Sequence, residues 1–472
     1  MGLLLMINGV GMLLCLPWSM YFDDGQLLPI LDSAGITILI GIIVWSSTWK
    51  HDKAIGKREG FLVVAMGWSV LTLSGTLPYM LSGSLAHFPD AVFETVSGFT
   101  TTGASVLVDI EVVPKSVLFW RSFTQWIGGM GIIVLTIAIL PILGIGGMQL
   151  FMAESPGPTA DKIHPRIKET AKRLWAVYVM LTIVETILLM VFGLDFFDSV
   201  CHAMTTMATG GFSTRNASAA AFPPSVQYIM ILFMFLAGVN FTLNYFLIRG
   251  KWKKVWPNEE FRTYLYGVLG LSLVTAAIVY GVSESSAEQS LRDSLFMIVS
   301  VITTTGFVSA DYTAWTPFLT TLFFVLLFVG GSSGSTSGGI KVVRFTVVIK
   351  NGLMELKRIL HPRALFPVRI NRMALPENVT FNILGFFLLY ITTFVIGSIV
   401  MTTLGMDMVT AIGATATSLG NVGPGIGRVG PVDNFAWLTD AGKLFLSLLM
   451  LIGRLEIFTV LVLFTPAFWT DR

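Results

Sequence analysis

Repeated stretches of about 20 apolar residues, the length that spans ~30 Å of hydrocarbon, take the place of the alternating polar faces a cytosolic or secreted globular chain would need. Ten such spans are readable, roughly Gly2 to Tyr21, Leu28 to Ser47, Phe61 to Met80, Val117 to Leu140, Leu174 to Phe192, Val226 to Ile248, Tyr264 to Val282, Phe318 to Val348 with an interruption, Phe381 to Leu404, and Leu444 to Pro466. Each predicts a transmembrane helix. The basic residues between them set the orientation, because Lys and Arg stay on the cytoplasmic side. Lys50, Lys53, Lys57 and Arg58 fall in the first inner loop, and Lys162, Arg166, Lys168, Lys172 and Arg173 in the second. Arg249, Lys251, Lys253, Lys254 and Arg262 fall in the third, and the run from Lys341 to Arg372 forms the fourth. With Arg472 this puts 23 of the 30 basic residues on one face. Lys115, Arg121, Arg215, Arg292, Arg428 and Lys443 fall on the other, and both termini are expected to be cytoplasmic.

Composition agrees with the pattern. Apolar residues make up 54% of the 472, charged residues 12%, and mean hydropathy is +0.76, values a soluble domain could carry only with large exposed apolar patches. A net charge of +2 implies no nucleic-acid partner. Cys15 and Cys201 both lie in apolar segments and offer neither a CxxC pair nor a zinc spacing. The first twenty residues lack a basic n-region and a small-residue cleavage site, so they read as a retained helix rather than a signal peptide.

Four outer connections are too long and too apolar to be turns, and they share a pattern. Asp90 leads to Thr101-Thr102-Gly103, Asp198 to Thr209-Gly210-Gly211, Asp293 to Thr304-Thr305-Gly306, and Asp407 to Ser418-Leu419-Gly420, with thirteen residues from Asp to Gly each time. A shared register in four places marks an internal repeat. Asp is a good N-cap, and the next nine or ten residues make a helix ~15 Å long, half a bilayer. The carbonyl end of such a half-helix carries partial negative charge and favours a cation. Beyond it, Gly reaches backbone angles that turn successive carbonyls toward an axis. Non-helical backbone at membrane depth is tolerated only where protein or a watery cavity surrounds it, so the four loops are expected to meet at one pathway.

The chain therefore reads as an all-α polytopic membrane protein. It comprises two N-terminal transmembrane helices (1–59) and four M1-P-M2 repeats (60–145, 146–250, 251–360 and 361–472) around one central pore. The loops SGFTTTGAS (Ser97 to Ser105), TMATGGFS (Thr206 to Ser213), ITTTGFVS (Ile302 to Ser309) and TSLGNVGPG (Thr417 to Gly425) resemble those of the Trk/Ktr/HKT superfamily of potassium transporters. Asn421, Gly423 and Pro424 are a fairly specific mark of the fourth, and the extra N-terminal spans match the bacterial TrkH/TrkG branch. The resemblance implies potassium uptake across the inner membrane, with K+ as transported and filter-bound ion and no covalent cofactor; the five His residues form no HExxH and no nucleophile elbow is present, so no enzymatic activity is expected. It also implies a homodimer with one pore per chain and a cytosolic TrkA-like nucleotide-binding ring as partner. Because the filter Gly of each loop is tied to potassium selection in that family, Gly at all four matching positions implies, by the same resemblance, potassium over sodium, while Gly210 and Leu419 replace Thr and each lose a side-chain oxygen. Whether flux is channel-like or a symport with protons stays open.

Two further features fall inside the membrane. Gly330 to Gly339 packs five glycines with Ser and Thr into the eighth span, where each Gly disfavours helix by about 1 kcal/mol. GxxxxGK[ST] would need Lys where Ile340 stands, which excludes a phosphate-binding loop. By resemblance the segment is a movable gate comprising Gly334, Ser335, Thr336, Ser337, Gly338, Gly339 and Lys341. Arg454 lies about ten residues into the last span, where an unpaired charge costs at least ~2.5 kcal/mol. It is expected to face the cavity and approach that loop, while Glu456 points to another face. Asn240 and Asn244 share a face of the sixth span and read as packing and hydrogen-bonding positions. A secondary cation-coupled transporter of a small organic solute is the alternative, but it predicts inverted halves and one central site rather than four units of like direction.

Overall fold

The computed structural model describes residues 1–48, 57–134, 163–364 and 366–470. Lys50, Lys53, Lys162 and Arg472 of the inner-loop count, and the boundary at 145/146, lie outside them. Two N-terminal elements, α1 (Gly2–Leu13) continued by α2 (Leu16–Phe22), and α3 (Leu27–Thr48), form an antiparallel pair. Glycines let them approach closely: a Cβ on Gly41 would stand 2.9 Å from Gly2 O. Asn8 Nδ2 ties the pair to the next helix through Ser74 Oγ at 2.8 Å. The Asp24 carboxylate accepts from Ser19 Oγ and Ser116 Oγ at 2.6 Å each. Partial burial raises that carboxyl, but these hydrogen bonds outweigh burial and hold it below the usual range.

Among the described residues that follow, one order of elements recurs, each run forming a unit. α4 (Lys57–Gly75) with the short α5 (Leu77–Leu81) leads to α6 (Phe88–Phe99) and α7 (Lys115–Val134). α8 (Ile163–Val191) leads to α9 (Phe196–Met207), then α10 (Pro224–Ala237) and α11 (Phe241–Ile248). α12 (Glu259–Val282) leads to α13 (Ala287–Ile302), α14 (Pro317–Leu326) and α15 (Val342–Leu360). α16 (Glu377–Thr403) leads to α17 (Met408–Gly420), α18 (Asp440–Arg454) and α19 (Ile457–Leu461). A two-residue hairpin, Arg369–Ile370 against Met373–Ala374, joins the last two units.

Among the described residues six helices are long and apolar enough to cross a membrane, and eight if each bent pair counts as one span. Their outward faces carry large exposed apolar side chains, such as Leu39, Ile40 and Ile43 on α3, as lipid contact requires. The second helices of the units differ from the continuous spans the hydropathy pattern suggests. α10 and α11 meet at 116°, and α18 and the segment from Ile457 to Phe464 also meet at 116°. The reason is long-range hydrogen bonding, invisible to hydropathy. Gly238 O accepts from Ser332 N at 2.8 Å, and Asn240 caps α11 through Thr242 N while its Nδ2 donates to Ser333 O at 2.7 Å. At the second bend Glu456 adopts φ +62° and accepts from Arg344 Nη2 at 2.5 Å.

The short helices α6, α9, α13 and α17 lie inside the bundle. α6 packs against α18, α9 against α7, and α13 against α10. A Cβ on Gly420 of α17 would stand 2.5 Å from Leu327 O, just past α14. Each short helix thus leans on the second helix of the preceding unit, which closes a cycle. Their caps are more varied than the Asp pattern implies. Asp407 caps α17 by accepting from Thr410 N at 3.1 Å, but Asp195 caps α9 and Ser286 caps α13. Asp90 and Asp198 lie in first turns and Asp293 seven residues into its helix. Asp90 instead pairs with Lys443 at 2.6 Å.

Candidate functional site

All four short helices end alike. The backbone turns left-handed at Thr101 (φ 53°), Thr209 (52°) and Thr304 (56°), each just past its helix cap, and at Asn421 (54°), which caps α17 itself. The amide that follows each left-handed residue bonds back five residues, from Thr102 N to Ser97 O (2.9 Å), Gly210 N to Thr205 O (2.9 Å), Thr305 N to Ser300 O (2.8 Å) and Val422 N to Thr417 O (3.0 Å). This is a Schellman closure, normally made with Gly. A β-branched residue there is strained by roughly 1–3 kcal/mol, so three threonines in that conformation are held by their surroundings.

The next residue is a glycine at positive φ in each loop: Gly103 (83°), Gly211 (74°), Gly306 (83°) and Gly423 (100°). These four meet. A Cβ on Gly103 would run into Gly210 O, one on Gly211 into Thr305 O, one on Gly306 into Val422 O, and one on Gly423 would stand 2.8 Å from Thr102 O. Each glycine faces the carbonyl preceding the glycine of the next loop, and the sequence returns to its start. No side chain larger than hydrogen fits at any of the four.

The fourth loop corrects the expected register. Ser418, Leu419 and Gly420 belong to α17, so the left-handed turn comes at Asn421, three residues beyond the place a gap-free match would give it. Asn421-Val422-Gly423 takes the place that Thr101-Thr102-Gly103 holds in the first loop. Thr-Thr-Gly-like spacing misled because Gly420 follows Asp407 at the repeated distance, although it is helical. Asn421, of a residue type that tolerates the left-handed conformation, with Gly423 two residues on, was the available sign.

Buried polar groups brace the ring. Glu94, fully buried, pairs with Arg121 Nε at 2.6 Å and accepts from Val106 N at 2.9 Å, while Arg121 Nη1 donates to Ser213 O at 2.9 Å. This joins the first and second loops and takes Arg121 out of the count of free outer charges. Asn421 Nδ2 donates to Thr102 Oγ1 at 2.9 Å, joining the fourth loop to the first, and Tyr312 donates to Gly425 O at 2.5 Å. Sequence reasoning missed Glu94, Arg121, Gln125 and Val422; a carboxylate in a short apolar helix was the available sign. On one side of the ring lies a cavity of about 100 Å³ lined by the four glycines with Arg121, Arg215 and Asp433.

On the other side lies the Gly–Ser segment, and the structure brings it together with Arg454 as expected. Gly338 N donates to Thr304 Oγ1 at 2.6 Å, and Thr336 Oγ1 donates to Met207 O at 3.0 Å. A Cβ on Gly338 would stand 2.6 Å from Gly420 O. The segment therefore touches the ends of α9, α13 and α17. Ser335 and Ser337 hydroxyls pair at 2.6 Å, Gly334 O accepts from Phe241 N at 3.1 Å, and Gly339 turns at φ +60° before Lys341, whose Nζ donates to Ser337 O. Arg454, 2% exposed at the end of α18, donates from Nη1 to Thr336 O at 2.8 Å and from Nη2 to Gly128 O at 3.2 Å.

Comparison with known proteins agrees with this architecture. A family model described as TrkH, cation transport protein, matches residues 30–470. The Trk system potassium uptake protein TrkH of Escherichia coli (strain K12) is 41% identical over 459 residues, covering 96% of this chain and 94% of that protein. TrkG of the same organism, also named a Trk system potassium uptake protein, is 34% identical, covering 99% and 97%. The crystal structure of the potassium transporter TrkH from Vibrio parahaemolyticus superposes with a TM-score of 0.92 at 38% identity, over 99% of this chain and 98% of that one. A model match across most of the sequence and relatives of this identity over nearly full length leave one assignment: the chain belongs to the TrkH family of cation transport proteins.

Proposed function

We propose that this protein takes up potassium across the bacterial inner membrane through a filter formed where the four loops meet. The carrying observation is the closed cycle of Gly103, Gly211, Gly306 and Gly423, each against a carbonyl of the next loop. Thr102, Gly210, Thr305 and Val422 supply oxygens that replace the hydration shell of K+, and the ends of the four short helices add negative potential on the inner side. The outer cavity of about 100 Å³ suits a few waters and an ion. An organic solute needs ~300 Å³ or more, so a solute carrier is disfavoured.

The four units, divided near 145, 250 and 360 after the N-terminal pair, surround this one pathway in the same reading. Thr101, Thr209, Thr304 and Asn421 hold the loop entrances. The Gly334–Gly339 stretch, Lys341 and Arg454 form the gate: the segment obstructs the inner exit, and two positive side chains beside it oppose cation passage. Opening requires the bonds to Thr304, Met207 and Arg454 to break together, which calls for an outside input. A nucleotide-binding cytosolic ring acting on the exposed Lys251, Lys253, Lys254 and Lys357, on a homodimer with cytoplasmic termini, meets that need. The test is 86Rb+ uptake into liposomes holding the purified protein. Uptake competed by K+ and not by Na+ is expected, and equal competition by both would overturn the reading.

A further inference from the structure

The second loop is held differently from the others. In the first and third loops, hydroxyls two residues apart pair with each other, Thr100 with Thr102 at 2.8 Å and Thr303 with Thr305 at 2.7 Å. The corresponding residues of the second loop are Ala208 and Gly210, which can make no such pair. In the fourth they are Gly420 and Val422, and Asn421 serves instead, bonding Thr102 Oγ1 and Met450 O at 2.9 Å each.

Gln125 of α7 occupies the space that a side chain at 210 would fill. Its carboxamide is fully buried. Nε2 donates to Gly210 O at 2.6 Å, and Oε1 accepts from Phe212 N at 3.1 Å. The clamp therefore grips the backbone on both sides of Gly211. Gly210 O is also the ring oxygen that faces Gly103. Among the described residues it is the one ring carbonyl of the four that accepts a protein hydrogen bond. A carbonyl has two lone pairs, so this oxygen can serve Gln125 and a cation together.

We propose that Gln125 is a positioning residue that sets ion selectivity, its carboxamide replacing the Thr–Thr hydroxyl pair missing from the second loop. Resting on the reading of the ring as a filter, this assigns to Gln125 the fixing of one ring oxygen at the radius K+ requires. Released from the clamp, the Gly210 carbonyl can move inward toward a smaller ion, so discrimination against Na+ falls while K+ still enters.

The experiment compares K+ and Na+ flux in liposomes for the wild type and three variants. Gln125→Leu keeps side-chain volume and removes both hydrogen bonds. Gly210→Ala reaches the same contact from the other partner, because its Cβ would stand 2.8 Å from Gln125 Nε2 and must displace it. Gly423→Ser tests the filter reading itself. The expected result is a K+/Na+ flux ratio about tenfold lower in both Gln125→Leu and Gly210→Ala, corresponding to ~1.4 kcal/mol, in variants whose gel-filtration profiles show them folded. A changed ratio in Gly423→Ser with an unchanged ratio in the other two would overturn the role of Gln125 and leave the filter standing. Unchanged ratios in all three would overturn both.

Discussion

Replacing Arg454 by Ala should raise passive cation flux, and the geometry gives the size of the effect. Arg454 Nη1 donates to Thr336 O at 2.8 Å, and Nη2 donates to Gly128 O at 3.2 Å. The second bond joins α18 to α7 and does not involve the Gly–Ser segment. Only the first is lost on displacement. A hydrogen bond from a charged group contributes ~1.5–3 kcal/mol, so its removal favours the displaced segment by ~10- to 150-fold. Rb+ uptake into liposomes, measured without a partner protein, reads that change directly. Arg454→Lys keeps the charge but loses the fork geometry, and should fall between the wild type and Arg454→Ala. Circular dichroism and gel-filtration profiles establish that each variant is folded. Flux from Arg454→Ala equal to wild type, with both profiles intact, would refute the reasoning.

Four other single substitutions and one double variant test separate contacts. Gly423→Ser should lower the K+/Na+ flux ratio, whereas Leu419→Thr should leave it unchanged, because Leu419 is helical and outside the ring; a dual-ion flux assay reports both. Asn240→Ala removes the cap of α11 and the bond to Ser333 O, so thermal stability should fall by about 1–2 kcal/mol and basal Rb+ flux should rise. Glu94→Gln leaves Arg121 buried without its countercharge, a loss of about 3–5 kcal/mol measurable as a lower melting temperature. Glu94→Gln with Arg121→Met should recover much of it.

How much of this was legible in the sequence differs by element. The long spans were, because lipid contact leaves apolar residues on all sides of helices such as α3 and α16. The first three loops were too, since Thr and Gly at matched spacing after a short helix fall where the backbone turns left-handed. The fourth was misplaced by three residues: Gly420 satisfied the spacing while lying in α17, and one sequence does not reveal which glycine has positive φ. The bends at Gly238–Asn240 and Leu455–Glu456 were hidden because the partners that stabilise them, Ser332, Ser333 and Arg344, lie about 100 residues away in the chain. Gln125 was hidden for a similar reason. Its role exists only because Gly210 leaves a space opposite it, a pairing that spans two units. Arg454 was legible because an unpaired charge in an apolar span demands a partner, and the Gly–Ser segment supplies the carbonyl of Thr336.

The most direct test of the account is anomalous diffraction from crystals soaked in Tl+ or Rb+. The account predicts a peak on the axis between Thr102 O, Gly210 O, Thr305 O and Val422 O, lost when K+ is added in excess. Ordered cation density elsewhere in the protein, with none inside that ring, would contradict it.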